Sequence, residues 1–350
     1  MHFALTEEQS ELASTVRSLL AKRADSAAVR AASASDQGYD SALWQVLCEQ
    51  VGVAALAVPE EHDGAGFTLF ESLVVLEELG RSLAPSPLLA SLVAAEALLV
   101  DVGAVARELL PQLAAGAVAT LALAPAEVRA RPAAEGWVLS GTARDVLDGD
   151  RAEVLLVLAT TEDGTDLFAV DPADVPATWV PTMDQSLRLA DLELEGVSAR
   201  LVNAHGAAVA GRAALVGATA TAALQVGCAQ RALDMTVAYT KEREQFGRPI
   251  GSFQALKHRM ADMLALVEMA RSASWAASYA VSTGSPDAER LTHVAASYCG
   301  DALDHVAGET VQMHGGIAIT WEHDAQLVFK RAHALGQLFG QAHEHRAALA

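Results

Sequence analysis

Residues 241–263, KEREQFGRPIGSFQALKHRMADM, constrain the fold more than any other stretch of this chain. Gly247, Pro249 and Gly251 interrupt helical spacing, so a tight turn is expected there, and Ser252 has the chemistry of an N-cap for the helix that follows. Beyond it Phe253, Leu256, Met260, Met263, Leu264 and Val267 recur at intervals of three, four and seven. That stripe predicts a long helix with one face buried against other helices. Arg243 and Gln254 stand on opposite sides of the break. A guanidinium and a side-chain amide so placed suit one elongated polar ligand, such as a dinucleotide.

The rest of the chain surrounds this element with two different textures. Residues 6–115 read as helical, with apolar positions at helical spacing in 7–20, 41–51 and 70–80, and with Pro85 and Pro87 marking a turn before further helix to about 113. Near Gly116 the pattern changes. Short apolar or alternating runs at 118–124, 137–141, 153–159, 166–170 and 188–194, separated by Gly, Pro and Asp clusters, predict a compact β domain over 116–205. From about 207 helical spacing returns, with breaks near 247–251, 283–287 and 315–316. The expected class is α+β: a helical domain at 1–115, the β domain at 116–205 and a helical bundle at 206–350. A hydrophobic content of 52% over 350 residues is enough to bury the cores of two or three domains.

Charge and composition narrow the partners. A formal net charge of −20 argues against nucleic acid and anionic membrane. No run of eighteen apolar residues suggests a membrane span, and the acidic start MHFALTEE carries no leader pattern, so a cytoplasmic protein is expected. Cys48, Cys228 and Cys299 sit in apolar surroundings without ligand spacing and are expected to be buried, reduced thiols. No metal spacing is read from His333, His343 and His345. Glu77 and Glu78 are expected on a solvated helix face. The cluster Trp321-Glu-His-Asp324 reads as a helix N-terminus, because consecutive residues there cannot converge as a triad.

The stretch Glu242-Arg243-x-x-Phe246-Gly247-x-x-Ile250-x-x-x-Gln254 resembles the flavin-binding motif of the acyl-CoA dehydrogenase family. Residues 52–66 and 75–81 look like that family's first-domain signature, and Gln312-Met313-His314-Gly315-Gly316 looks like its Gln-x-x-Gly-Gly loop. The resemblance covers the first and last thirds well and the middle poorly. It implies the family's architecture: an amino-terminal helical domain, a central β domain and a carboxyl-terminal four-helix bundle. It also implies FAD as cofactor, with Arg243, Phe246, Gln254, Gln312, Met313, His314, Gly315 and Gly316 as cofactor-binding positions.

The same resemblance locates chemistry that this sequence lacks. The family's reaction needs a carboxylate to remove the α-proton of an acyl-CoA thioester, and a flavin to take the β-hydride. One family position for that glutamate falls on Phe339, within Leu338-Phe-Gly-Gln341. The other, twenty-six residues before Arg243, falls on Gly217 between Val216 and Ala218, and the sole acid between Gly206 and Thr240 is Asp234. The family's ring contacts are replaced as well, by Ala122-Leu-Ala-Pro-Ala-Glu-Val-Arg129 and by Asp145, Val146 and Leu147. A carboxylate beside a reduced flavin disfavours its anionic form. The cross-subunit half of a flavin site is thus retained while the ring pocket and base are not. This resembles the non-catalytic subunit of actinobacterial α2β2 acyl-CoA dehydrogenases, including those acting on steroid side-chain CoA thioesters. It implies a homologous partner carrying the catalytic glutamate, no catalytic residue here, and electron transfer to an electron-transferring flavoprotein. Two alternatives stay open: a self-sufficient enzyme with an unrecognised base, and a purely structural subunit without flavin contact.

Overall fold

The computed structural model describes residues 4–123 and 125–350, without the side chain of Pro125. Ala124, within the 122–129 segment discussed above, lies outside the described residues. Six helices come first: α1 (Glu7–Arg23), α2 (Ser26–Ala34), α3 (Ser41–Val46), α4 (Leu69–Ser82), α5 (Leu88–Leu98) and α6 (Ala104–Ala114). Eight strands follow: β1 (Ala119–Ala122), β2 (Val128–Pro132), β3 (Trp137–Leu147), β4 (Val154–Thr160), β5 (Thr165–Val170), β6 (Ala177–Val180), β7 (Leu189–Glu193) and β8 (Val197–Asn203). Helix α7 (Gly206–Glu242), a two-residue-per-strand hairpin β9 (Glu244–Gln245) and β10 (Arg248–Pro249), then α8 (Gln254–Ser282), α9 (Ala288–His314), α10 (Ala325–Leu335) and α11 (Ala342–Ala347) complete the chain. The order helix, strand, helix is the one expected.

By packing, the chain forms two compact units that interleave along the sequence: residues 32–72 with 85–217, and residues 1–31 with 73–84 and 218–350. The first holds the sheet, ordered β1-β4-β5-β8-β3-β7-β6, with β2 pairing β3 and β4. Strands β2, β6 and β8 were not anticipated, and β3 runs to Leu147 instead of 141. In β2, Val-Arg-Ala-Arg-Pro alternates buried with exposed, but two arginines and a proline hide the apolar period. Phe168 is wholly buried, with Trp137 tilted against it at a centroid distance of 5.3 Å. Every residue of α5 is buried, including Glu96, whose Oε2 accepts from Arg212 Nε at 2.8 Å and Nη2 at 2.5 Å. A carboxylate so buried is tolerable because it is paired.

The second unit is helical. Here α4 and α7 cross with their backbones almost touching: a Cβ added to Gly80 would lie 2.3 Å from the Leu224 carbonyl oxygen, and one on Gly227 1.9 Å from that of Glu77. Ala222 and Val226 of α7 pack with Ala270 and Ala277 of α8 and Ala295, Cys299 and Ala302 of α9. By length and composition α7 is apolar enough to cross a bilayer, contrary to the reading of the sequence, but 61% of its most apolar window is buried within the protein.

Three local expectations fail. Ser252 does not cap α8: its hydroxyl donates to the Pro249 carbonyl at 2.7 Å within a short 3-10 turn, and Phe253 takes the cap position without a side-chain bond. Leu264 faces solvent at 49% exposure, while Met263 and Val267 are buried, because the buried stripe is narrower than the apolar spacing suggested. Glu77 and Glu78 are not a solvated face. Glu78 is 5% exposed and grips Arg17, and Glu77 accepts from Arg271 Nε at 2.9 Å and Trp275 Nε1 at 3.1 Å. None of the three cysteines is in a disulfide: Cys228 and Cys299 are buried, while Cys48 is half-buried, and burial pushes its thiol up to about 12.

Candidate functional site

The motif that opened the sequence reading is a projecting hairpin. Gln245 pairs with Arg248 and Glu244 with Pro249, leaving Phe246 and Gly247 as a two-residue turn with φ of 55° and 75°. Both values are left-handed, as a type I′ turn demands. The chain therefore turns at Phe246-Gly247 and not at a Gly-Pro-Gly corner. The Ile250 N–H donates to the Arg243 carbonyl at 2.8 Å, closing the loop, and Gly251 lies against Thr240, where a Cβ would meet its carbonyl at 2.9 Å. This places the Arg243 end of α7 beside the start of α8, where Gln254 is the first helical residue.

Phe246 is 92% exposed, and Arg243 and Gln254 are also exposed. A phenyl ring on a left-handed residue at the tip of a hairpin gains nothing from its own chain beyond an edge contact with Phe253 at 6.1 Å, where the Arg248 guanidinium also stacks at 4.1 Å.

The Gln312–Gly316 segment ends α9. Gly315 adopts φ 65°, and Gln312, Gly315 and Gly316 are exposed. Met313 and His314 differ: they are 5% and 3% exposed, so their side chains face the protein and are not available to a ligand. His314 Nδ1 lies 2.7 Å from the Thr310 carbonyl oxygen, which fixes the proton on Nδ1 and leaves buried Nε2 as an acceptor with no partner among the described residues. Burial, and secondarily His323, hold its pKa below the ordinary imidazole value, against the Thr310 bond.

Tyr239, a residue the sequence reading missed, joins the two motifs. It lies one turn before Arg243, whose N–H donates to the Tyr239 carbonyl at 2.8 Å. Its ring stacks on His314 at 4.4 Å and its hydroxyl donates to the His314 carbonyl at 3.3 Å. His323 closes the stack 4.4 Å from His314. The aromatic spacing across 75 residues gives no local signal, so no period could have revealed it.

The Trp321–Asp324 cluster is at the start of α10, but Asp324 does not cap it. Its Oδ1 accepts from Ser26 at 2.6 Å and Arg30 at 2.7 Å, while His323 Nδ1 accepts the Ala325 N–H at 3.1 Å. Although burial opposes it, these bonds and the charges of Arg30 and Arg231 hold the Asp324 carboxyl below the usual range. Trp321, 70% exposed, lies between Arg30 and the Lys330 ammonium at 4.6 Å.

Neither base position holds an acid. Phe339 is half-buried with φ 53°, and Val216 and Ala218 are buried at 0% and 4%. Asp234 is committed elsewhere, accepting from Arg81 at 2.7 Å and Gln230 at 2.8 Å. In the sheet, β3 bulges between Ala143 and Val146; Val146 enters the core, and Asp145, φ 52°, donates its N–H to Asp191. That backbone donor is consumed within the protein. Beyond the bulge, burial pushes the Asp148 carboxyl up to about 7, with Asp150 adding and Arg188 opposing.

Comparison with known proteins identifies the family and its fold. Residues 6–117 match the acyl-CoA dehydrogenase N-terminal domain, and residues 204–350 match the acyl-CoA dehydrogenase C-terminal domain. The chain is 44% identical over 342 residues to the acyl-CoA dehydrogenase IpdE2 of Mycolicibacterium smegmatis, covering 97% of each protein. Among solved structures it is similar to a variant of the Tcur3481-Tcur3483 steroid ACAD, with TM-score 0.89 and 35% identity over 98% of this chain and 96% of that one. It is also similar to the ChsE4-ChsE5 complex from Mycobacterium tuberculosis, with TM-score 0.91 and 29% identity over 100% of this chain and 98% of that one. With its fold, its two end motifs and these relatives in accord, the chain belongs to the acyl-CoA dehydrogenase family.

Proposed function

We propose that this chain is the flavin-completing, non-catalytic subunit of a heteromeric FAD-dependent acyl-CoA dehydrogenase. The reaction is α,β-desaturation of an acyl-CoA thioester, with the glutamate supplied by a homologous partner subunit and electrons passed on to an electron-transferring flavoprotein. One observation carries the reading: both base positions, Phe339 and Gly217, hold residues that cannot take a proton, while the recognition groups of the two end motifs face outward. The Tcur3481-Tcur3483 steroid ACAD and the ChsE4-ChsE5 complex, each composed of two named proteins, support a two-chain assembly, and the first supports a steroid-derived substrate; the proposed class is a steroid side-chain CoA thioester.

The exposed surface fits the dinucleotide end of FAD. Arg243 offers a charge-assisted donor to the pyrophosphate, Gln254 and Gln312 offer amides, and the Gly315-Gly316 backbone admits close approach because neither residue has a side chain. The sheet does not offer a matching ring site, since Val146 is core and the Asp145 N–H is already bonded. When bound, FAD supplies the acceptor for the β-hydride. This chain's part is to bind and orient, with Tyr239 and His314 stiffening the junction between the two motifs and Phe246 reaching into the partner.

The test is flavin content. The chain is purified alone and with a homologue that retains the glutamate, and visible absorption is measured. A colourless chain that becomes a yellow 1:1 complex is expected. Arg243→Ala in that complex should weaken flavin binding by roughly 1.5–3 kcal/mol. Unchanged flavin content in that variant sinks the completion role, and a yellow homo-oligomer bleached by an acyl-CoA shows a base within this chain.

A further inference from the structure

We infer that His293 and His345 are positioning residues: as an imidazole pair sharing one proton they hold the Phe339–Gly340 turn in a fixed conformation, and acid releases it. This turn occupies the place of the family's glutamate by sequence position, whichever subunit performs the chemistry.

The geometry is specific. His293 Nδ1 on α9 lies 2.8 Å from His345 Nδ1 on α11, with ring centroids 5.1 Å apart at 47°. Two N–H groups or two lone pairs cannot face each other at that distance, so one proton lies between the nitrogens. His345 is 7% exposed, and its Nε2 edge lies over the turn: a Cβ added to Gly340 would come within 2.9 Å of it. Backbone hydrogen bonds at Phe339 and Gly340 hold the ring from that side. Phe339 and Gly340 take φ of 53° and 106°. A phenylalanine keeps a left-handed backbone only where its surroundings impose one. The Gln341 N–H donates to Glu344 Oε2 at 2.7 Å, so turn, cap and His345 form one short structure anchored to α9 through His293.

The charged groups facing the pair are few. Glu289 on α9 is 4.0 Å from His293 Nε2, Glu344 adjoins His345 on α11, and an Arg346–Asp301 ion pair joins the two helices. The Nδ1–Nδ1 bond needs one free lone pair, and a proton added there sets two N–H groups face to face and breaks the bond. Burial, then His293, hold His345 below the ordinary imidazole range. A depressed histidine stabilises the folded arrangement above its unfolded pKa and loses that contribution as pH falls through the folded value. The turn is therefore held at neutral pH and loosens in acid.

The test uses the full chain labelled with 15N-histidine, titrated from pH 8 to 5 by NMR, with hydrogen exchange followed over residues 336–345. His345 should titrate below the ordinary imidazole range. Exchange at 339–341, corrected for its intrinsic pH dependence, should rise by up to ~10-fold per pH unit once His345 titrates. His293→Gln keeps an amide donor toward His345 but cannot take a proton, and should move the His345 titration upward. If that variant misfolds, the unmodified chain still decides the matter. Titration of His345 within the ordinary imidazole range, or exchange at the turn indifferent to it, overturns the inference.

Discussion

Removing the Glu77 carboxylate should destabilise the helical unit far more than removing any solvated acid. Glu77 Oε1 accepts from Arg271 Nε at 2.9 Å and Oε2 from Trp275 Nε1 at 3.1 Å, with the Glu77 side chain 16% and Arg271 17% exposed. Breaking a buried ion pair by deleting one partner costs about 3–5 kcal/mol, because the other charge is left uncompensated. Arg271 is not wholly abandoned: its Nη2 keeps Gln230 Oε1 at 2.8 Å, and its Nη1 keeps Glu268. The expected cost of Glu77→Ala is therefore about 2–3 kcal/mol, below the range for a fully stranded charge. Glu268→Ala is the matched control. It removes a bond to the same guanidinium, but Glu268 is 57% exposed and only three residues away on the same helix. Screening holds its expected cost to about 0.5 kcal/mol. Urea unfolding followed by circular dichroism, with hydrogen exchange on α4 and α8, reads both variants. Equal, small effects from the two substitutions would refute the claim that burial governs the strength of this network.

Gly227→Ala should destabilise more than about 3 kcal/mol, since its Cβ would meet the Glu77 carbonyl oxygen at 1.9 Å and backbone cannot yield as a side chain does; thermal unfolding against Gly308→Ala, which meets nothing within 4 Å, checks it. Phe246→Asn should stabilise the lone chain by up to about 1 kcal/mol, because asparagine tolerates the left-handed turn and a 92% exposed phenyl ring contributes little there. In the two-subunit complex the same change should weaken assembly, measurable as a raised dissociation constant. Asp148→Asn should stabilise by roughly 1–3 kcal/mol at pH 8 and by much less at pH 4. The sign follows from a carboxyl raised to about 7: folding favours its protonated form, so its ionisation opposes folding as pH climbs from the ordinary carboxylate value through 7. A gain that is independent of pH would assign the effect to the φ of 51° instead.

The sequence alone determined the order of helical, β and helical segments, the breaks near 247, 283 and 315, and the two motifs whose backbone and exposed groups form the candidate site. These are local properties. Helical period, glycine positions and a spaced set of polar residues are written in consecutive residues, and the chain cannot adopt another fold without contradicting them. The two empty base positions were legible for the same reason, since identity at a position requires no coordinates.

Only the tertiary structure decided which polar groups are buried and what they meet. Glu77 and Glu78 look like solvent-facing acids beside each other on a helix, yet Arg17, Arg271 and Trp275 arrive from 61 to 198 residues away to pair them. Met313 and His314 share a motif with exposed neighbours but turn inward, and Tyr239 reaches His314 from another helix. The His293–His345 bond spans 52 residues. In each case the deciding quantity is desolvation by, or contact with, residues distant in sequence. Burial raises the strength of a polar contact and the penalty for leaving it unmade, and no local pattern carries that information.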